Sequence, residues 1–191
     1  QKLEVSTFLY YNTPQMIRDT IKFVLLILLV VIPVRVFIAQ PFIVNGASMD
    51  PTFEHGQYLI VDQISYRLEE PKRGDVIVFK YPNDQRQYFI KRVVALPGET
   101  IEINDDEVVV YNEKNPEGKV LNEPYLPGEK QISLQSIKKT ELSDSEYFVM
   151  GDNRRESSDS RSWGPLNEEL IIGRPLVRLL PPSSLSFLPG T

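Results

Sequence analysis

The strongest constraint on the fold of this chain is the apolar segment at residues 21–39, which reads IKFVLLILLVVIPVRVFIA. As a helix it would extend roughly 28 Å at ~1.5 Å per residue, close to the ~30 Å hydrocarbon core of a bilayer. Lys22 and Arg35 lie near its two ends, where long side chains reach the polar interface. Pro33 is tolerated in a membrane helix. We therefore predict one N-terminal transmembrane helix.

Two other structures fit an apolar segment of this length, a buried core helix and a cleaved signal peptide. A core helix carries a polar stripe, and residues 23–32 have none. A signal peptide ends at an A-x-A-like site, whereas Phe37 stands two positions before Ala39. Basic residues favour a cytoplasmic N-terminal segment at residues 1–20, with the rest of the chain on the extracytoplasmic side of the membrane.

Beyond residue 40 the sequence is typical of an all-β domain. Short runs rich in Val, Ile, Tyr and Phe alternate with Gly, Pro, Asn and Asp. These runs lie at residues 41–46, 58–63, 75–81, 87–95, 100–105, 107–112, 147–152 and 176–180. We predict a mainly β, barrel- or sandwich-like domain over residues 40–191. The polar, turn-rich residues 112–145 indicate an insertion or subdomain outside the core, with a short helix near residues 133–139.

Residue counts exclude several kinds of chemistry. The chain has no cysteine, which excludes disulfides, thiol nucleophiles and Cys-ligated metals, and its single histidine cannot form a multi-His metal site. We predict no metal and no cofactor. The net charge of −5 argues against a nucleic-acid partner, which needs a basic face. A Ser–His–Asp triad would have to use His55, whose turn-like Glu-His-Gly sequence is more typical of a surface residue.

Ser48 and Lys91 are the candidate reactive residues. Ser48 follows a predicted strand within Gly-Ala-Ser-Met-Asp-Pro-Thr, where it could expose its hydroxyl and direct its own N–H toward a developing oxyanion. Lys91 shares a strand face with Phe89 and Val93. A lysine in water is neutral only about once in 2,500 at pH 7, so a basic role requires an apolar face that lowers its pKa. The alternatives are an ordinary turn serine and a lysine on an edge strand.

A third candidate is the polar loop GDNRRESSDSRSWG at residues 151–164, directly after the apolar run YFVM. Ser157 or Ser158 could orient a lysine ammonium, and Asp159 and Arg161 could pair. A solvated loop is the alternative.

Four sequence boxes and the apolar segment resemble the bacterial type I signal peptidases, also called leader peptidases. The boxes are Ser-Met-x-Pro-Thr at residues 48–52, Arg-Gly-Asp-Val-x-x-Phe at 73–79, Lys-Arg-Val through Leu-Pro-Gly-Glu at 91–99, and Gly-Asp-Asn-Arg…Ser-x-Asp-Ser-Arg-x-Trp-Gly at 151–164. They occur in the family's order and span nearly the whole chain.

The resemblance implies a Ser–Lys dyad, with Ser48 as the nucleophile and Lys91 as the general base. It implies that Ser157 hydrogen-bonds the lysine and that the Ser48 N–H contributes to the oxyanion hole. The other supporting residues would be the ion-paired Asp159 and Arg161, with Asp152 nearby. Shallow apolar pockets for the small residues of Ala-x-Ala sites would be lined by Phe42, Val44, Phe53 and Ile90.

The chain departs from the family pattern at two places. Gly46 stands where many members have a serine that supplies a second oxyanion donor. Arg155 and Glu156 stand where Asp-Asn is common, which changes the local charge.

The residues and the resemblance together predict a membrane-bound, monomeric serine endopeptidase that removes signal peptides from exported preproteins. Its partners would be the preproteins and the lipid bilayer. A Ser–Lys self-cleaving regulator would explain the dyad but neither the anchor nor residues 151–164. A membrane-tethered β domain that binds partners without catalysis would leave Ser48 and Lys91 without a role.

Overall fold

The chain divides into two units, residues 1–39 and residues 40–191. The structure is a computed structural model, and it describes residues 4–33, 39–104, 107–126 and 136–190.

The first unit contains helix α1, Glu4–Pro33. All large apolar side chains within residues 21–32 are exposed, Leu29 to 72%. Among the described residues, no helix is both long and apolar enough to cross a membrane. Residues 34–38 of the predicted anchor lie outside the described residues, so the transmembrane helix stays a prediction. The helix begins at Glu4, so a single helix continues from the described part of residues 1–20 into the apolar segment.

The second unit contains two β-sheets, which confirms the prediction of a mainly β domain. Within the described residues the larger sheet has eight strands, in the order β1-β2-β11-β3-β4-β9-β10 with β12 paired to β11. Their bounds are β1 Ala39–Ile43, β2 Tyr58–Asp62, β3 Val76–Tyr81, β4 Asp84–Ala95, β9 Glu146–Met150, β10 Leu166–Asn167, β11 Ile171–Leu180 and β12 Ser186–Phe187.

The smaller sheet has the order β7-β6-β5-β8. Its strands are β5 Thr100–Asn104, β6 Glu107–Asn112, β7 Asn115–Val120 and β8 Ile137–Glu141. Short helices α2 and α3 span Ser65–Leu68 and Ser160–Trp163, and 3-10 turns lie at Glu168–Leu170 and Pro182–Ser184. The prediction of a short helix near residues 133–139 is wrong for residues 137–139, because these residues belong to strand β8.

One apolar cluster joins the two sheets. Alternate residues of β5 and β6 are buried, as expected for strands with one face on a core. The cluster includes Ile101 and Ile103 of β5, Val108 and Val110 of β6, Phe148 and Met150 of β9, and Leu142. Residues 112–145 therefore do not lie wholly outside the core, since Leu142 is buried within it and β7 and β8 are the outer strands of the smaller sheet.

Strand β4 is the structural base of the candidate site. This twelve-residue strand pairs with β3 up to Arg92, with Lys91 opposite Ile77, and from Arg92 onward it pairs with β9, with Arg92 opposite Met150. This pairing fixes the register of the strand and thereby the faces to which Lys91 and Arg92 point.

Candidate active site

Ser48 lies in the connection between β1 and β2, which is anchored by buried apolar side chains. Met49 and Phe53 are almost fully buried, and the Phe53 N–H donates to the Met49 carbonyl at 2.9 Å. Gly46 has a φ of +100°, which favours glycine, and its N–H donates to His55 Nδ1 at 3.2 Å. The backbone is therefore held on both sides of Ser48.

Strand β4 brings Lys91 into contact with Ser48. Lys91 is 4% exposed, and its Nζ lies 2.7 Å from Ser48 Oγ and 2.9 Å from the Ile90 carbonyl oxygen. Burial lowers the pKa of Lys91 from 10.5 to about 8 and outweighs the charges of Asp159 and Asp152, which raise it. Near pH 8 this amine is partly neutral, so it can accept a proton from a hydroxyl in hydrogen-bond contact.

Asp159 and Arg161 form a buried, bidentate ion pair, as the sequence predicted. Arg161 Nε donates to Oδ1 and its second terminal nitrogen to Oδ2, both at 2.8 Å. Oδ2 also accepts the Gly151 N–H at 3.0 Å. Burial alone would raise the pKa of Asp159, but the hydrogen bonds and charge of Arg161 outweigh it and hold this pKa below its usual range. The pair fixes the start of α3 to the end of β9.

Asp152 forms a second buried ion pair, with Arg92. The two bonds of this pair measure 2.8 and 2.6 Å, and the exposed fractions of the side chains are 4% for Arg92 and 0% for Asp152. Asp152 also accepts the Thr52 hydroxyl at 2.6 Å. Thr52 lies four residues after Ser48, so Asp152 connects the loop that follows β9 to the segment that carries the serine.

Ser157 does not make the hydrogen bond to the lysine that the resemblance implied. Its buried Oγ has no hydrogen-bond partner among the described residues, although it lies near enough to Asp159 to help lower the pKa of that carboxyl. The bonds that Lys91 Nζ makes are to Ser48 and to the carbonyl of its own neighbour, Ile90.

Gly151 permits the close approach of the 151–161 loop to the serine. A Cβ at this position would come within 2.3 Å of both the Ser48 carbonyl oxygen and Ser157 Oγ. The same Ser48 carbonyl accepts the Asn153 N–H at 3.1 Å. A side chain at position 151 would therefore push the loop away from the serine.

A cleft of about 380 Å³ opens beside Ser48 and Lys91. It is lined by three of the four predicted substrate-contact residues, Phe42, Val44 and Ile90. Phe53, the fourth, does not line the cleft, because its ring is fully buried in an apolar cluster with Met49 and Leu59. Glu156 does line the cleft, so the changed residue of the last box lies close to the reactive pair.

Two functional candidates were not predicted, Arg92 and Arg154. Arg92 follows Lys91 directly and points to the other side of β4, and an arginine in the buried half of a strand signals a buried partner. Arg154 belongs to the last sequence box, but its partner, Glu123, lies 31 residues away in the chain. His55 bonds the Gly46 N–H and makes no recorded bond to Ser48 within the described residues. In the same described ranges, no cluster of three His, Asp or Glu side chains could hold a metal ion.

Sequence comparisons find similar proteins over most of the chain. The family described as "Signal peptidase, peptidase S26" matches residues 17–180. The protein named "Probable signal peptidase I-1" of Synechocystis sp. is 38% identical over 189 residues, covering 92% of each chain. "Signal peptidase I V" of Bacillus subtilis is 39% identical over 141 residues, covering 68% of this chain and 79% of the relative.

A crystal structure of a signal peptidase I from Enterococcus faecalis V583 is 30% identical, covers 56% of this chain and 97% of its own, and has a TM-score of 0.47. The extent of the family match and the 92% coverage of the Synechocystis relative confirm the resemblance found in the four boxes. The chain belongs to the signal peptidase family, peptidase S26, as a serine peptidase of the type I signal peptidase kind that cleaves signal peptides.

Proposed function

We propose that this peptidase is a membrane-anchored Ser–Lys endopeptidase that cleaves preproteins after small residues. The observation that carries the proposal is the 2.7 Å contact between Lys91 Nζ and Ser48 Oγ, with Lys91 4% exposed. A buried amine in contact with a hydroxyl is suited to general-base activation of a serine nucleophile.

In the proposed reaction, neutral Lys91 accepts the hydroxyl proton of Ser48 as Oγ forms a bond to the scissile carbonyl carbon. The Ser48 N–H stabilises the resulting oxyanion. When the carbon–nitrogen bond breaks, the Lys91 ammonium returns its proton to the leaving amine, and an ester of Ser48 remains. Neutral Lys91 then accepts a proton from a water molecule as its oxygen adds to the ester carbon. The bond from this carbon to Ser48 Oγ breaks, Lys91 returns the proton to Oγ, and the carboxyl product is released.

The supporting residues hold this pair in a water-poor site. Asp159 pairs with Arg161, and Asp152 pairs with Arg92. Burial lowers the pKa of Lys91 against the charges of Asp159 and Asp152, and the charge of Arg161 adds to the lowering. The Gly46 N–H is engaged by His55, so this arrangement leaves the Ser48 N–H as the proposed oxyanion donor.

The cleft supports a preference for small side chains. Phe42, Val44 and Ile90 line its apolar surface next to Ser48. We expect alanine at the first and third positions before the cleaved bond, and a bulky residue at either position should lower kcat/KM by about 100-fold. The position between them should tolerate large residues.

The apolar part of α1 supports a membrane anchor. The side chains of residues 23–32 are all apolar and all exposed, which is unfavourable in water and favourable in lipid. With the N-terminus cytoplasmic, the catalytic unit would meet preproteins on the extracytoplasmic side. Confining enzyme and substrate to one surface would raise their effective concentration. Resistance to alkaline extraction and protection of the N-terminus from added protease test this orientation.

Cleavage of a preprotein by the purified chain tests the reaction. Wild type should release the mature protein, Ser48→Ala should not, and the exposed Ser143→Ala is the matched control that should retain activity. Cleavage by Ser48→Ala at the wild-type rate would disprove the proposed nucleophile.

A further inference from the structure

The segment that follows β7 reaches the back of the candidate site. Leu121 continues from β7, and its N–H donates to the Val108 carbonyl of β6 at 2.9 Å. The next residues form a turn in which the Leu126 N–H donates to the Glu123 carbonyl at 3.1 Å. Glu123 and Tyr125, joined by a 2.6 Å hydrogen bond from the Tyr125 hydroxyl, are named here the 123–125 clamp.

The first arm of the clamp is the ion pair between Glu123 and Arg154. Both side chains are buried, with exposed fractions of 8% and 5%. Arg154 Nε donates to the Gly151 carbonyl at 3.1 Å, and the Arg154 carbonyl accepts a bond from Arg161 at 2.7 Å. Glu123 thus neutralises the arginine that joins the two ends of the 151–161 loop.

The second arm is the contact between Tyr125 and Arg92. The guanidinium carbon of Arg92 lies 4.0 Å from the centroid of the Tyr125 ring, a cation–π distance. Arg92 in turn pairs with Asp152, which accepts the Thr52 hydroxyl near the serine. The Tyr125 ring therefore covers the Arg92 guanidinium, which forms the ion pair with Asp152 of the same 151–161 loop.

We propose that Glu123 and Tyr125 are positioning residues for catalysis, which hold the 151–161 loop against Ser48 and Lys91 through Arg154 and Arg92. The inference rests on the proposed Ser–Lys function. It gives the smaller sheet a catalytic role, because β6 and β7 carry the clamp and neither strand touches the reactive pair.

The clamp affects the reaction in two ways, by excluding water from Lys91 and by keeping Ser48 aligned. Lys91 is faced by Asp152, Asp159 and Arg161, all of which belong to the clamped loop. A loosened loop admits water to Lys91, which raises the pKa of the lysine, because desolvation is the largest cause of its lowering. The neutral amine then becomes scarcer at a given pH, and the serine loses its fixed alignment.

Glu123→Gln and Tyr125→Leu test the proposal in the full-length chain, assayed by preprotein cleavage across the pH range. Each should lower kcat by about tenfold or more while KM stays within about twofold, and each should move the acidic limb of the kcat profile to higher pH. Tyr125→Phe keeps the ring over Arg92 and loses only the hydroxyl, so it should retain most of the activity.

The smaller sheet contains a matched control. Tyr111 donates to Glu102 at 2.6 Å and lies under Lys139 at 3.9 Å, a tyrosine–carboxylate–cation arrangement like the clamp but without contact to the catalytic loop. Glu102→Gln and Tyr111→Leu should leave kcat and its pH profile unchanged. Losses of kcat in these controls equal to those of the clamp variants would overturn the proposal.

Two further outcomes are decisive. If the clamp variants unfold at lower temperature yet match wild type in kcat and pH profile below that temperature, the clamp is structural only and the proposal is wrong. If Glu123→Gln does not fold, Tyr125→Phe and Tyr125→Leu are compared, and equal kcat values for these two variants overturn the proposal. Failure of the Ser–Lys mechanism itself is recognised separately, because Ser48→Ala would then cleave like wild type.

Discussion

Lys91 has surroundings of opposite character on its two sides. On the cleft side, Phe42, Val44 and Ile90 present apolar surface. On the loop side, Asp152 and Asp159 are fully buried carboxylates, each held by an arginine. The apolar side excludes water, and the loop side supplies charges that largely cancel in pairs. Lys91 keeps a lowered pKa beside two carboxylates because burial outweighs their charges, and the charge of Arg161 adds to the lowering.

Replacement of Lys91 should have the largest effect on activity, because both surroundings act through this side chain. Lys91→Ala and Lys91→Arg should both lower kcat/KM by about 10³-fold or more, since neither side chain can act as a base near neutral pH. Steady-state cleavage of a preprotein measures the loss. Lys72→Ala changes an exposed lysine and should behave like wild type. Substantial activity in Lys91→Arg would show that a neutral amine is not required.

Breaking a charge pair on the loop side comes next. Asp159→Asn leaves the Arg161 guanidinium buried without its carboxylate, which should cost about 3–5 kcal/mol of unfolding free energy. Activity should fall with it, because the Gly151 N–H loses its anionic acceptor.

The control for this charge-pair test is Asp84→Asn, which removes the carboxylate from an ion pair whose Arg86 is 90% exposed. It should leave the unfolding midpoint in denaturant nearly unchanged. Equal midpoint shifts for the two variants would contradict the stabilising role of the buried pair.

The pH dependence of kcat/KM reports the pKa of Lys91, which the surroundings on its two sides set together. With the pKa of Lys91 lowered to about 8, kcat/KM should fall roughly tenfold per pH unit below that value. The direction follows from the base, whose neutral form disappears as pH falls. The free energy of unfolding should also rise as pH increases from about 8 to 10.5. In this range the lysine of the unfolded chain still binds a proton that the folded chain has lost. Unchanged kcat/KM from pH 8 to 6 would disprove this assignment.

The smallest expected effect comes from His55, which lies on neither side of the lysine. His55→Ala removes only the acceptor of the Gly46 N–H, an exposed contact, and kcat/KM should change by less than about threefold. A loss near 10³-fold, the size seen for triad residues, would instead support a histidine base.

The sequence predicted the parts of the site that depend on local pattern. Strand alternation placed Lys91 on a face with Phe89 and Val93, and in the structure Lys91 is buried. Asp159 and Arg161 stand two positions apart, which allowed a pair to be considered, and in the structure they are paired. Partners that meet only through the tertiary fold were missed, such as Glu123 with Arg154. Phe53 was assigned to the cleft through the family resemblance, whereas its ring packs in a buried apolar cluster with Met49 and Leu59.

The fold, like the site, was predictable only in the features that depend on local sequence. Apolar runs and turn residues indicated a mainly β domain, because alternation and turn chemistry are local properties. They could not indicate which strands pair, and β11 lies between β2 and β3 in the sheet. The polar composition of residues 112–145 concealed β7 and β8, whose side chains are mostly exposed although their backbones complete the smaller sheet.

Lys91 and Arg92 are neighbours on β4, and their side chains serve opposite faces of the strand. A slip of one residue in strand pairing would therefore exchange them, placing a guanidinium beside Ser48 and an ammonium against Asp152. Both ionic groups would survive such a slip, but the proton acceptor would be gone, since a guanidinium stays charged. Under the proposed Ser–Lys mechanism, catalysis thus requires correct strand register as well as the correct residues, and pairing with β3 and β9 fixes that register.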